Sequence, residues 1–229
     1  MGDGSNSINY HRVGVIRENP MRCIYTADDQ GEIFIVSSSE FENRTDLKDG
    51  DCCVVDFKTN FSEELGNGVY NAEIYKYDSV AVWPLHETLT DTTVVLAKER
   101  LVTLDFKKSI YLEGRFFLQT QHVNHQVDQK DIFNLSYNPD QEVEKDDDGQ
   151  RIYNLYLRVT QEGGTGDSTK WINTTAFTID KFLDQAKAIE SREGQNEINF
   201  KINYAERYNA DTTACVWGAT DVFTLRFTN

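Results

Sequence analysis

The chain has few prolines and glycines, three and fourteen in 229 residues, so it is neither collagen-like nor a low-complexity chain. No apolar run approaches the roughly 18 residues of a membrane-spanning helix. Basic residues are outnumbered, 23 Lys and Arg against 38 Asp and Glu. The formal charge of −15 excludes a general binder of phosphate backbones, which needs a basic footprint. Residues 1–105 alone hold 19 acids against 9 bases. The four cysteines, Cys23, Cys52, Cys53 and Cys215, show no C-x-x-C spacing for zinc or redox chemistry. No G-x-S-x-G, H-E-x-x-H or Walker sequence occurs. The reading is therefore of a protein that is not an enzyme, with no catalytic, cofactor-binding or metal-ligating residues and no cofactor. A pair of carboxylates facing across a sugar-cleaving cleft stays open as an alternative, because carboxylates are plentiful.

What is present has a period of two. Ile198, Phe200, Ile202 and Tyr204 alternate with polar residues, and so do Tyr153, Leu155, Leu157 and Val159. Ile110, Leu112, Phe116 and Leu118, and then Phe223, Leu225 and Phe227, repeat the pattern. One wet and one buried face per strand is the mark of antiparallel sheets, which makes this an all-β protein.

Residues 1–8 read as a disordered leader, small and polar at their start. Strands follow at 10–18, 21–26 and 32–37, the last two flanking a turn at 27–31. After a polar stretch, 38–48, come strands at 51–57 and 69–83 around the turn Gly66-Asn67-Gly68. Five strands with the gap after the third suit a small Greek-key barrel of the OB type over residues 9–86. Pro84, lacking an N–H, is expected to close the last of them. Residues 87–106 read as a connection, with a strand expected within 94–106, and 107–229 as an antiparallel β-sandwich. In its midst Ile179, Phe182, Leu183, Ala186 and Ile189 fall at helical spacing. Thr178 or Asp180 is expected to cap that helix at its start and Gly194 at its end. Cys52 and Cys53, adjacent in a strand, should face opposite ways as small core fillers; a disulfide from Cys23 to either stays open.

A small OB barrel followed by a β-sandwich resembles the NigD-like lipoproteins. The stretches that carry the likeness are 47–57, with its Lys48-Asp49-Gly50 turn, 70–82, 110–121 and 197–203. The resemblance implies an envelope protein of a Gram-negative bacterium, anchored in the outer membrane through an N-terminal lipid removed from this sequence. It would act as a non-catalytic binding or interaction module, its partner an envelope protein or glycan, as a monomer and without nucleic acid. Two alternatives are a pilus-type subunit and an OB-fold oligonucleotide binder; the charge of −15 weighs against the second. The Asp-Ser/Thr-small triplets resemble O-glycosylation sites of exported proteins of such bacteria and would modify Ser79, Thr92, Ser168 and Thr212. Asp-Thr pairs also favour turns for local reasons.

Other candidates have plainer readings. His122 and His125 form H-x-x-H, which a strand would split between its faces; they are expected in an exposed loop without a third ligand. Glu144, Asp146, Asp148 and Gly149 begin like a calcium loop, but Leu155 stands where the closing Glu is required, so they read as a hairpin tip. Gly163-Gly164-Thr165-Gly166-Asp167 opens no helix and reads as a hairpin loop rather than a phosphate cradle. The tryptophans Trp83, Trp171 and Trp217, with Tyr70, Tyr75, Tyr77, Tyr153 and Tyr156, are expected mostly in packing, with a sugar-stacking platform as the alternative.

Overall fold

The computed structural model describes residues 6–19, 21–27 and 31–227. The protein is almost entirely β, and the chain divides into two compact units.

The first unit holds a closed five-stranded barrel in the order β1-β2-β3-β5-β4. Its strands are β1 (Asn6–Arg17), β2 (Cys23–Ala27), β3 (Ile33–Ser37), β4 (Cys52–Gly66) and β5 (Val69–Val80). All neighbours are antiparallel except β3 and β5, which close the ring in parallel. This is the expected OB barrel. Residues 6–8, read as part of a leader, belong to β1 and pair with Lys58–Asn60 of β4. The polar stretch after β3 hides a short helix, α1 (Ser39–Glu42), with the Ser38 hydroxyl accepting from the Glu40 N–H. Its Phe41, with Leu47, packs into the barrel interior beside Ile16, Ile24, Val36, Cys53, Val55 and Phe57. β4 runs well beyond the expected residue 57. It ends in a tight turn where Asn67 and Gly68 both have positive φ, 56° and 75°, as a two-residue hairpin of right-handed twist requires. A bulge at His11, φ 53°, shifts the β1–β4 register and helps β1 bend between two partners. Gly14 is forced by space: a Cβ there would stand 2.6 Å from Ile24 Cγ2.

Cys52 and Cys53 take opposite faces as alternation requires. Cys53 points into the barrel, while Cys52 joins Val15, Ala27, Val80, Leu112, Phe117 and Ala176 in a second cluster. That cluster draws residues of the later chain, Lys107–Phe117 and Thr174–Ala176, into the first unit. Trp83–Phe106 belongs instead to the second unit. Both assignments differ from the boundaries expected at 87 and 107, because apolar contact groups segments irrespective of chain order.

The second sheet has ten strands, with the main order β14-β13-β12-β6-β10-β8. They are β6 (Val82–Glu87), β7 (Glu99–Arg100), β8 (Val102–Leu104), β9 (Ile110–Leu112), β10 (Arg115–Tyr137), β11 (Glu144–Lys145), β12 (Arg151–Thr178), β13 (Glu197–Tyr208), β14 (Cys215–Ala219) and β15 (Phe223–Arg226). The short pieces β7 and β8 replace the single strand expected within 94–106. Pro84 does not end a strand but lies inside β6. Its missing N–H matters locally, since the parallel pairing of β6 with β10 begins at the next residue, Leu85. Not every pairing is antiparallel: β12 and β13 run parallel from Ile152↔Asn199 to Leu157↔Tyr204. Parallel neighbours need a crossover, and the predicted helix supplies it. It is α2 (Asp180–Arg192), burying Phe182 and Ala186.

Neither expected residue caps the start of α2. Ile179 occupies the N-cap position without a side-chain bond, and the Thr178 hydroxyl donates to the Trp83 carbonyl instead. The C-terminus is as expected: Gly194 has φ 77°, its N–H reaches the Ser191 carbonyl and the Gln195 N–H the Glu190 carbonyl.

Candidate functional site

The polar chemistry of the second unit gathers on β7, β10, β12 and β13. β10 passes through Asp128 with φ 57°, and β12 through Gly163, Gly164 and Gly166 with positive φ. A Cβ on Gly163 would stand 2.9 Å from the Asp128 carbonyl oxygen, and one on Gly164 2.8 Å from Gln126 Oε1. The glycine-rich segment is therefore where β12 passes close to β10.

The bend in β10 brings Asp131 back beside His122 and His125. Oδ2 of Asp131 lies 3.7 Å from His122 Nδ1 and 3.4 Å from His125 Nε2, while Oδ1 accepts from Gln129 Nε2 at 2.6 Å. His122 Nε2 lies 3.1 Å from the Thr120 hydroxyl. Both the His122 and Asp131 side chains are only 3% exposed. The expectation of two histidines in an exposed loop is thus corrected. The burial comes from what folds back on them, since β10 turns at Asp128 and brings Asp131 against both rings. Burial holds His122 below the ordinary imidazole range, with His125 and Arg100 adding to the effect and Asp131 opposing it. Among the described residues, no group of three or more His, Cys, Asp or Glu side chains is set to hold a metal ion.

On the outer side the Trp171 ring stacks on His125, centroids 5.2 Å apart at 23°. Trp171, Ile172 and Val127 are about half exposed or more, 49%, 56% and 61%. Next to His122 lies a cavity of about 90 Å³ lined by Glu99, Arg100, Leu101, His122, Asn124, Gln129 and Tyr208.

The remaining sequence candidates are structural. Asp146 Oδ1 accepts from the backbone of Asp148 and Gln150, tying the acidic tip into a turn at the end of the β11–β12 hairpin. Gly149 takes φ 80° there, and Glu144 pairs with Lys201. Trp217 donates to the Thr92 carbonyl and carries the Arg158 guanidinium over its ring; Tyr156 meets its edge. Trp83 packs on Phe133, Tyr153 is buried against Phe182, Tyr77 meets Phe41, and Tyr70 meets Phe61. Of the aromatic set, Tyr75 and Trp171 are exposed. All four cysteines are free and buried.

Ser79, Ser168 and Thr212 are exposed and Thr92 is half-buried. Two of these triplets share one local geometry. Asp91 Oδ1 accepts from the N–H and hydroxyl of Thr93, and Asp211 Oδ1 from those of Thr213. Both are Asx-type turns.

Sequence reading missed Arg100, Asn124 and Asp131 as site residues. They lie far apart or in no recognisable spacing, and only the path of β10 and the β7–β12 pairing assemble them. The sole local hint was the H-x-x-H pair.

Residues 4–76 match the lipoprotein OB domain family. Among solved structures, the chain is similar to an uncharacterised protein from Parabacteroides merdae, at 21% identity and TM-score 0.79, covering 96% of this chain and all of that one. A protein of unknown function from Bacteroides vulgatus matches at 16% identity and TM-score 0.58, over 97% of this chain and 92% of that one. A NigD-like immunity protein from Bacteroides caccae matches at 18% identity and TM-score 0.55, over 97% and 98%. None of the curated proteins matches the chain.

Proposed function

We propose that this NigD-like protein, whose barrel is a lipoprotein OB domain, acts as a non-catalytic interaction module of the bacterial cell envelope. One observation carries the reading. Trp171, held flat against His125, presents a half-exposed aromatic face, and Val127, two residues along β10 from His125, is exposed as well. Large apolar groups held rigidly at a surface mark contact sites, and an indole on a fixed support loses little entropy on binding. The acid excess of the barrel weighs against the nucleic-acid use that OB barrels often have. Anchoring in the outer membrane and sugar on Ser79, Thr92, Ser168 or Thr212 belong to the same proposal. The partner is an envelope protein or glycan.

The test replaces Trp171 with a photo-crosslinking residue in cells and compares it with the same residue at Tyr75, which is exposed in the barrel. A discrete adduct at position 171, lost when Val127→Lys is added, is the expected result. Equal labelling at both positions, or none at 171, overturns the reading. The intact mass of the membrane-extracted protein tests localisation, since acyl chains and added hexose would appear directly in it.

A further inference from the structure

Among the described residues Arg100 has no salt-bridge partner. It stands on β7 beside Glu99, and both residues line the cavity of about 90 Å³. Glu99 meets Arg158. The Arg100 Nε is buried with no hydrogen-bond partner, and no acceptor among the described residues meets the rest of its guanidinium. The nearby carboxylates are committed: Glu99 to Arg158, Asp131 to two histidines and Gln129. A half-buried guanidinium left without an acceptor is unfavourable, and such groups in native proteins are satisfied by water or by a ligand.

The surroundings select the ligand. Leu101 is the apolar residue of the lining, and Asn124, exposed, lines the cavity with no hydrogen-bond partner for its amide among the described residues. The Tyr208 hydroxyl donates its proton to the Glu99 carbonyl and can still accept. A single guanidinium neutralises a single charge, and its planar fork matches the two oxygens of a carboxylate. A dianion would leave excess negative charge close to Asp131. The volume is that of about three water molecules, enough for a carboxylate bearing an alkyl group of one or two carbons. We infer that the Arg100 cavity binds a small monocarboxylate, held by the guanidinium and the Asn124 amide with its alkyl end against Leu101. The chain's charge of −15 repels anions at long range, so the affinity is set by short-range contacts, at about the millimolar level.

The full chain is titrated with acetate and propionate at constant ionic strength, following Arg Nε–Hε and His122 ring resonances by NMR. Saturable shifts at Arg100 and His122 are expected. Arg100→Gln should weaken binding at least tenfold, Asn124→Ala several-fold, and Arg226→Gln, which removes the same charge from an 82% exposed side chain, should leave it unchanged. Should Arg100→Gln fail to fold, Asn124→Ala, altered at the surface, decides the matter. Shifts that rise without saturating, that chloride or phosphate reproduces at equal concentration, or that persist at full affinity in these variants, overturn the inference.

Discussion

Arg158 and Glu99 meet as two forks, Nε to Oε1 at 2.7 Å and Nη2 to Oε2 at 2.8 Å, with side chains 7% and 0% exposed. The same guanidinium donates to the carbonyls of Asp91 and Val94, pinning the loop before β7, and lies over Trp217. The pair therefore joins β7, β12, β14 and the 91–94 loop. Removing one partner strands a buried charge. Arg158→Met or Glu99→Gln is expected to lower stability by about 3–5 kcal/mol each, read from urea unfolding. The double variant Arg158→Met with Glu99→Gln should lose much less than the sum of the two. Arg158→Lys should not rescue, because a lysine cannot form the fork and reach both carbonyls.

The end of α2 offers a cleaner test. Nothing stands within 4 Å of a Cβ built on Gly194, so a side chain there meets strain from φ 77° alone. Gly194→Ala should cost about 1 kcal/mol, and Gly194→Asn clearly less, since Asn tolerates the left-handed region. Equal losses in the two variants would mean that packing rather than backbone conformation is at work.

The same helix shows how much was legible. Its apolar spacing and Gly194 fixed its existence and its end, because both are local signals. Its role as the crossover between parallel β12 and β13 was not legible, since alternation states which residues are buried and not which strand lies alongside. The barrel strands were readable for the same reason, whereas α1 was hidden by the shortness of its four residues amid a polar stretch. At the site, His122 and His125 were noticed but expected in an exposed loop. The left-handed Asp128 that turns β10 back towards Asp131 gives no pattern, as Asp at positive φ is a matter of context. Arg100 had no signal at all: a lone arginine in a strand is ordinary, and only the absence of an acceptor makes it informative.

Stability should fall as the solution is acidified through the range of histidine. Burial lowers the pKa of His122, so between its folded value and the ordinary unfolded value of about 6.5 the unfolded chain binds a proton that the folded chain does not. Stability is then fully present above pH 6.5 and declines below it, by up to about 1.4 kcal/mol per pH unit for this one group. Asp131 facing the ring moderates the decline, while His125 and Arg100 sharpen it. His122→Gln should flatten the dependence of the urea midpoint between pH 7.5 and 5.5. Parallel profiles for the two proteins would assign the acid sensitivity elsewhere.

The four thiols should be silent in the native protein. Burial pushes Cys52 and Cys215 up to about 11, in Cys215 with help from Glu99 at 3.5 Å, and raises Cys53 and Cys23 as well. The thiolate is the reactive species, and at pH 8 almost none is present in these surroundings. A disulfide reagent added to the folded chain should therefore release less than one equivalent over an hour, and four promptly in guanidinium chloride. Two equivalents missing after denaturation, restored by prior reduction, would reveal a bridge and contradict the free cysteines seen here. Glu99→Gln bears on the same measurement. Loss of the carboxylate beside Cys215 lowers that thiol's pKa and loosens its surroundings, so position 215 should become the first to react, ahead of the barrel cysteines.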